Sequence, residues 1–338
     1  MTNIETHGAD HPEGTDLDTL AARLHSQGKS AEATRLYRRE LSIREKTFGP
    51  DHPEVAKILN NLALLLDAQG KYTASEPLYR RALAIRQKAL GPDHLLVATS
   101  LNNLAEFLRI QGKNTAAEPL YRRALVIYEK QLGPDHPCVA ISMNNLALLL
   151  NAQGKYALAE SFYRRALAID EKAFGPDHHN LSTDLNNLAL LLYSQGNYVE
   201  SEQIFRRVLA IDEKALGPNH QDVSQSLNNL AGLLDVQGKY AAAESLYRRA
   251  LAIREKTYGS NHPMVAINMN YLAVTLYSQE NYAASEPLCR RALAIAEKAL
   301  GKTHPTTVAI RKNLNAHHLQ GTAAFRFLEE RLKKGAHL

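Results

Sequence analysis

The 338 residues carry 40 Lys and Arg against 35 Asp and Glu, a net charge of +5, with 45% hydrophobic residues, 7% aromatic residues and no tryptophan. This balance excludes a disordered chain, and the interleaving of acids with bases means that a basic patch must be shown by position, although the pI is 9.0. No segment approaches the roughly 18 consecutive apolar residues that span a bilayer, so no membrane partner is expected.

The chain opens on MTNIETHGADHPEG, polar and acidic, without the apolar region of a signal peptide. Residues 8–12, GADHP, match a loop motif found later; the chain is either a shortened or excised piece of a longer array or begins with a frayed arm. Cys138 and Cys289 lie far apart with no CxxC partner, which points to a reducing compartment and a cytoplasmic location, without disulfide framework or zinc site.

From residue 15 onward the chain repeats itself. Leu59-Asn60-Asn61 returns at Leu101, Met143, Leu185 and Leu227, and as Met269-Asn270-Tyr271, always 42 residues on, with a degraded copy at Leu17. Tyr37-Arg38-Arg39 recurs at Tyr79, Tyr121, Tyr163, Phe205, Tyr247 and Cys289 with the same step. A third block, GPDH, stands at Gly49, Gly91, Gly133 and Gly175 and drifts at Gly217, Gly259 and Gly301. The units are expected at 15–56, 57–98, 99–140, 141–182, 183–224, 225–266 and 267–308, after an arm over 1–14 and before a degenerate segment over 309–338. Each reads as helix, turn, helix, loop. Leu59, Leu62, Ala63 and Leu66 follow the i, i+3, i+4, i+7 rule, and Gly70 suits a left-handed C′ position. The second helix is expected to bury Tyr79, Ala82, Leu83 and Ile85 and to stop at Gly91-Pro92. Neither helix buries its stripe alone, so neighbouring units must stack. Thr322 to Lys334 reads as an amphipathic helix that caps the array.

Leu62-Ala63, Gly70, Tyr72, Tyr79 and Ala82 fall at the offsets of the tetratricopeptide repeat. The step of 42, with LNNLA, QGKY, YRRAL and LGPDHP, resembles the kinesin light chain class of these repeats over about residues 15–308. The coiled-coil heptads of a kinesin light chain are absent, so the resemblance implies fold and peptide binding, not motor transport. The implied fold is all-α, a right-handed α-solenoid (superhelix) of helix–turn–helix units with a C-terminal capping helix. The implied function is a non-catalytic scaffold for protein–protein interaction, needing no cofactor.

Each loop carries a histidine, His52, His94, His136, His178, His220, His262 and His304. Units stacked roughly 8–10 Å apart cannot bring these to the about 2 Å of a zinc bond, so a local capping role is expected. Gly28-Lys29-Ser30 and Gly301-Lys302-Thr303 imitate a phosphate loop, but Arg23 and Ala296 stand where its first glycine belongs. No catalytic set is suggested, and Cys289 reads as a small core residue. The Arg-Arg rows are the best argument for nucleic acid. The first arginine usually sits four residues after a glutamate, from Glu76–Arg80 to Glu286–Arg290, the order that neutralises much of a helix face.

With the stripe from Leu59 to Leu66 as the buried direction and about 100° per residue, Asn60 lies on the flank and Asn61 about 200° away. Asn61 shares its face with Lys57, Leu64 and Ala68. In tetratricopeptide arrays the first helices line the concave surface, so the resemblance makes this face a peptide-binding groove. The equivalent sets are Thr99, Asn103, Glu106 and Ile110; Ile141, Asn145, Leu148 and Ala152; Thr183, Asn187, Leu190 and Ser194; Gln225, Asn229, Gly232 and Val236; and Ile267, Tyr271, Val274 and Ser278. A carboxamide in each unit can hold the backbone of an extended peptide, or it can bond a neighbouring helix; both roles stay open. The face lacks the basic residues that clamp a C-terminal carboxylate, so an extended or amphipathic peptide with apolar anchors is expected. Nucleic acid along the Arg-Arg rows and self-association into a homo-oligomer are the alternatives.

Overall fold

The computed structural model describes residues 29–318, with residues 17, 19–21 and 23–24 before them. The arm over 1–14 and the expected capping helix over Thr322–Lys334 lie outside the described residues. Among the described residues all regular structure is helical. From residue 29 the helices are α1 (Ser30–Phe48), α2 (Pro53–Ala68), α3 (Tyr72–Leu90), α4 (Leu95–Ile110), α5 (Asn114–Leu132), α6 (Pro137–Ala152) and α7 (Tyr156–Phe174). There follow α8 (Leu181–Ser194), α9 (Tyr198–Leu216), α10 (Gln221–Val236), α11 (Tyr240–Tyr258), α12 (Pro263–Ser278), α13 (Tyr282–Leu300) and α14 (Pro305–His318).

The boundaries follow from local chemistry. α2 closes in a Schellman turn: Gly70, at φ +71°, donates to the Asp67 carbonyl at 2.8 Å, and Lys71 donates to that of Leu66 at 2.9 Å. α3 ends differently. Gly91 takes φ 87° and ψ 159°, a region open in practice only to glycine, and Pro92 bars further helix. The next helix then starts on a histidine: the Leu96 amide donates to Nδ1 of His94 at 3.1 Å, and His52, His136, His220, His262 and His304 each accept the amide two residues on at 3.1–3.3 Å, while His178 accepts that of Asn180 at 3.2 Å in the turn before α8. Local capping is thus the role the structure assigns to the loop histidines, and an acceptor at a helix N-terminus satisfies an amide with no intrahelical partner.

The boundary between two compact units falls between Ala173 and Phe174. Within each unit a helix packs chiefly on its neighbours in sequence, and alternate helices also touch, α4 on α6 in the first unit and α10 on α12 in the second. This consecutive stacking of helix pairs is the α-solenoid arrangement. The aromatic of the second block is the recurring anchor: Tyr37, Tyr79, Tyr121, Tyr163, Phe205 and Tyr247 are buried, and Cys289 fills the seventh position among Ala273 and Leu314. Burying one such ring contributes on the order of 1.5–3 kcal/mol. Ala82 and Ile85 are buried beside Tyr79 as expected, whereas Leu83 is half-buried.

Charged staples link successive loops to the next second helix. Lys88 reaches Asp51 at 2.5 Å, Lys130 reaches Asp93 at 2.6 Å, and in the second unit Lys214 reaches Asp177 at 3.1 Å. All are exposed, so each contributes on the order of 0–1 kcal/mol and mainly fixes register.

Candidate peptide-binding face

The first helices bury more than one stripe. α2 buries Val55, Ala56, Ile58 and Leu65 besides the stripe from Leu59 to Leu66, and it buries both asparagines. Asn61 is 3% exposed, not turned to solvent. The reason is geometric: a helix that packs on α1 and on α3 is covered from two directions, and a single-stripe wheel anticipates one.

In the first unit, Lys57 and Leu64 are half-buried, as are Asn103, Glu106, Asn145 and Leu148, while Ile110 and Ile141 are 50% and 45% exposed. Asn103 Nδ2 donates to Asn60 Oδ1 at 3.1 Å, so this carboxamide bonds the preceding helix pair. Glu106 accepts from Arg109 Nε and from one Arg109 terminal nitrogen, both at 2.7 Å, and from the Tyr121 hydroxyl at 2.6 Å. Burial pushes the Glu106 carboxyl up, but the Arg109 and Tyr121 hydrogen bonds outweigh it and hold it below its ordinary range. The glutamate of the expected groove is therefore already ion-paired.

In the second unit, Thr183, Leu190, Gln225 and Tyr271 are exposed, and Asn187, Asn229, Val236 and Val274 are half-buried. Asn229 Nδ2 donates to Asn186 Oδ1 at 3.1 Å, and its own Oδ1 accepts from Gln225 at 2.9 Å. Tyr271 stacks obliquely on Tyr247, centroids 5.7 Å apart. Asp235, which the sequence pattern did not single out, lies beside these residues; burial raises its carboxyl to about 6, and the Thr275 hydroxyl at 3.1 Å offsets only part of that rise. Its charge pushes up the Tyr193 and Tyr247 hydroxyls beyond the effect of their own burial. The signal was present as an acid at the position that Tyr193 and Tyr277 occupy in neighbouring copies, masked because the position varies from copy to copy.

The Arg-Arg rows are ion-paired as the spacing implies. Arg80, Arg122, Arg164, Arg206, Arg248 and Arg290 meet the glutamates four residues earlier at 2.6–2.9 Å. The second arginines reach back one repeat, Arg81 to Glu45 at 2.7 Å and Arg165 to Glu129 at 2.9 Å in the first unit, Arg291 to Glu255 at 3.2 Å in the second. One cluster combines Ser, His and Asp: Asp212 accepts from Ser182 at 2.6 Å and Ser226 at 2.5 Å, with His179 Nδ1 at 3.0 Å. Both hydroxyl protons face the carboxylate, so neither serine is presented to an imidazole base as nucleophilic catalysis requires. Among the described residues no group of three His, Cys, Asp or Glu is placed to hold a metal ion. Nor is any helix there long and apolar enough to cross a membrane.

A family model described as tetratricopeptide repeat matches residues 13–88, 68–106, 96–172, 144–214, 181–256 and 222–283, and a second model of the same description matches 269–306. Similar solved structures include a putative kinesin light chain with nearly identical TPR-like repeats from Podosopora anserina, 25% identical, covering 61% of this chain and 98% of that one with a TM-score of 0.55. BtubC (BKLC) from P. vanneervenii is 23% identical, with 70% and 92% covered and a TM-score of 0.57. The apo form of RapI is 17% identical, with 90% and 99% covered and a TM-score of 0.59. No curated protein sequence matches. With repeat models covering residues 13–306 and stacked helix pairs throughout the described residues, the chain belongs to the tetratricopeptide repeat family, and its structural neighbours include kinesin light chain-like repeats.

Proposed function

We propose that this protein is a non-catalytic interaction scaffold whose first helices hold an extended or amphipathic peptide segment of a partner protein. The observation that carries the reading is the exposure of large apolar side chains on those helices. Ile110 and Ile141 are 50% and 45% exposed in the first unit, Leu190 and Tyr271 45% and 42% in the second. Isolated exposed apolar residues are ordinary, but here they occupy the helix face that also carries the half-buried carboxamides of Asn103, Asn145, Asn187 and Asn229. Apolar anchors with interspersed donors and acceptors suit a peptide backbone with alternating side chains.

Nucleic acid fits less well, because the Arg-Arg rows spend their charge on glutamates of this chain. Cys138 and Cys289 are free thiols, which supports the proposed reducing, cytoplasmic setting. The test is calorimetric titration with peptides selected from a random library. The I110S/I141S and L190S/Y271S variants should each weaken binding by about tenfold with helicity unchanged. Unchanged affinity in both variants would refute the reading. Affinity for an oligonucleotide that falls steeply with salt would favour the Arg-Arg rows instead.

A further inference from the structure

One repeat position carries opposite charges in different copies, Arg109 in one and Asp67 and Asp235 in others. In the first unit, Arg109 is held by Glu106, and the Tyr121 hydroxyl completes the carboxylate's shell at 2.6 Å. Three repeats on, the same positions hold Gly232, Asp235 and Tyr247. Glycine deletes the carboxylate, aspartate stands where the guanidinium was, and the tyrosine is kept. A Cβ on Gly232 would lie 3.4 Å from the Tyr247 hydroxyl, so that hydroxyl sits close against the place where the glutamate side chain begins in the other copy.

Asp235 is poorly compensated by its own chain. Its Oδ2 accepts from the Thr275 hydroxyl, while its Oδ1 is buried and takes no hydrogen bond among the described residues. Burial raises its carboxyl to about 6, and no described cation opposes that rise. The surroundings are aromatic: Tyr247 and Tyr271 lie 5.7 Å apart at 33°, and the charge of Asp235 is felt at Tyr193. Tyr271 is 42% exposed, so solvent reaches the outer ring of this pair. An anion flanked by tyrosine faces is the complement of a planar or tetrahedral organic cation.

We propose that the recess formed by Gly232, Asp235, Tyr247 and Tyr271 receives the guanidinium or ammonium group of an arginine or lysine side chain from the partner peptide. The inference rests on the peptide-binding reading and adds to it a basic residue at one position of the ligand. The Glu106–Arg109 pair shows that the fold accommodates a guanidinium at this level of a repeat.

The test uses the full chain and N-acetyl-L-arginine amide, with the citrulline analogue as a neutral isostere, following the Asp235 carboxyl carbon by NMR. The arginine probe should move the Asp235 titration below its midpoint of about 6, and citrulline should not. The arginine-induced shift of the Tyr271 ring signals, followed in the same spectra, should vanish in D235N and in G232E/D235R, which places Glu and Arg at the positions of Glu106 and Arg109. An equal response to citrulline, or an arginine response that survives in D235N, overturns the proposal. In a library-selected peptide, citrulline for the basic residue should weaken binding about tenfold on the wild type and less than about twofold on D235N. Peptides that bind, lose affinity on L190S, yet tolerate citrulline would uphold the peptide-binding face and sink the cation recess. An arginine response with no peptide selected would do the reverse.

Discussion

Asn103 on α4 donates its carboxamide to Asn60 on α2, one helix pair back, at 3.1 Å. Asn229 does the same to Asn186 at 3.1 Å, and Asn313 to Asn270 at 2.9 Å. The two asparagines of the motif are thus halves of different bonds: the first accepts from the next pair, the second donates to the previous one. Where Tyr271 replaces the second asparagine, Asn228 bonds Asn268 at 2.9 Å instead, and Asn268 donates to the Tyr247 carbonyl at 3.0 Å.

Asn60→Ala should therefore destabilise the first unit by about 1–3 kcal/mol, because it leaves the Asn103 amide short of a buried partner. The double variant N60A/N103A should lose less than the sum of the single variants, with a coupling of about 0.5–1.5 kcal/mol in urea denaturation. Strict additivity would show that the pair contributes nothing.

The histidine caps predict a side-chain ranking. His94→Ala removes the acceptor of the Leu96 amide and should cost about 1 kcal/mol, whereas His94→Asn, which keeps an acceptor at that place, should cost less. Thermal unfolding of the two variants distinguishes a cap from a mere surface residue.

Glu280 stands where other copies carry glycine, at φ +62°. A side chain in this left-handed conformation is strained by roughly 1–2 kcal/mol. Glu280→Gly should raise stability by about 0.5–1 kcal/mol, the gain being reduced by the extra freedom of glycine in the unfolded chain. A lower melting temperature would contradict the strain.

Asp235 should make stability fall as pH rises. Its folded carboxyl titrates near 6 against an ordinary 3.8, so between about 4 and 6 the folded state binds the proton more tightly than the unfolded one. Asp235→Asn should flatten that limb and stabilise the second unit at pH 7 by about 1–3 kcal/mol. Glu118 and Glu202 act oppositely. Hydrogen bonds, from Arg122 in the first case and Lys239 in the second, hold them near 2. Their contribution is present above the ordinary carboxylate range and is lost as pH falls toward 2, so Glu118→Gln should blunt acid unfolding.

Much of the fold was legible because its determinants are local and are written seven times. The step of 42 residues, the Gly70-type turn, the Gly91-Pro92 stop and the Glu76–Arg80 spacing depend on backbone geometry and on helix periodicity, which a linear pattern carries. The histidines also read correctly, since a cap two residues from its amide is a contact within one loop. The candidate face was legible as a direction, where Ile110, Ile141, Leu190 and Tyr271 proved exposed. Its polar content was not. Asn61 is buried, and Glu106 is already paired with Arg109 and Tyr121.

The sequence by itself determined the helices, their order, their caps and the identity of the unit that must stack. Only the tertiary structure decided which partner each buried polar group meets, because Asn60 and Asn103, Asp235 and Thr275, or Arg165 and Glu129 lie 36–43 residues apart and meet only when helix pairs stack. Helical periodicity assigns a side chain to a face but says nothing of what covers that face. In a repeat array the cover is the next copy, and small departures between copies, such as Glu106 to Gly232 and Arg109 to Asp235, replace a closed ion pair by a buried carboxylate with one unpartnered oxygen among the described residues.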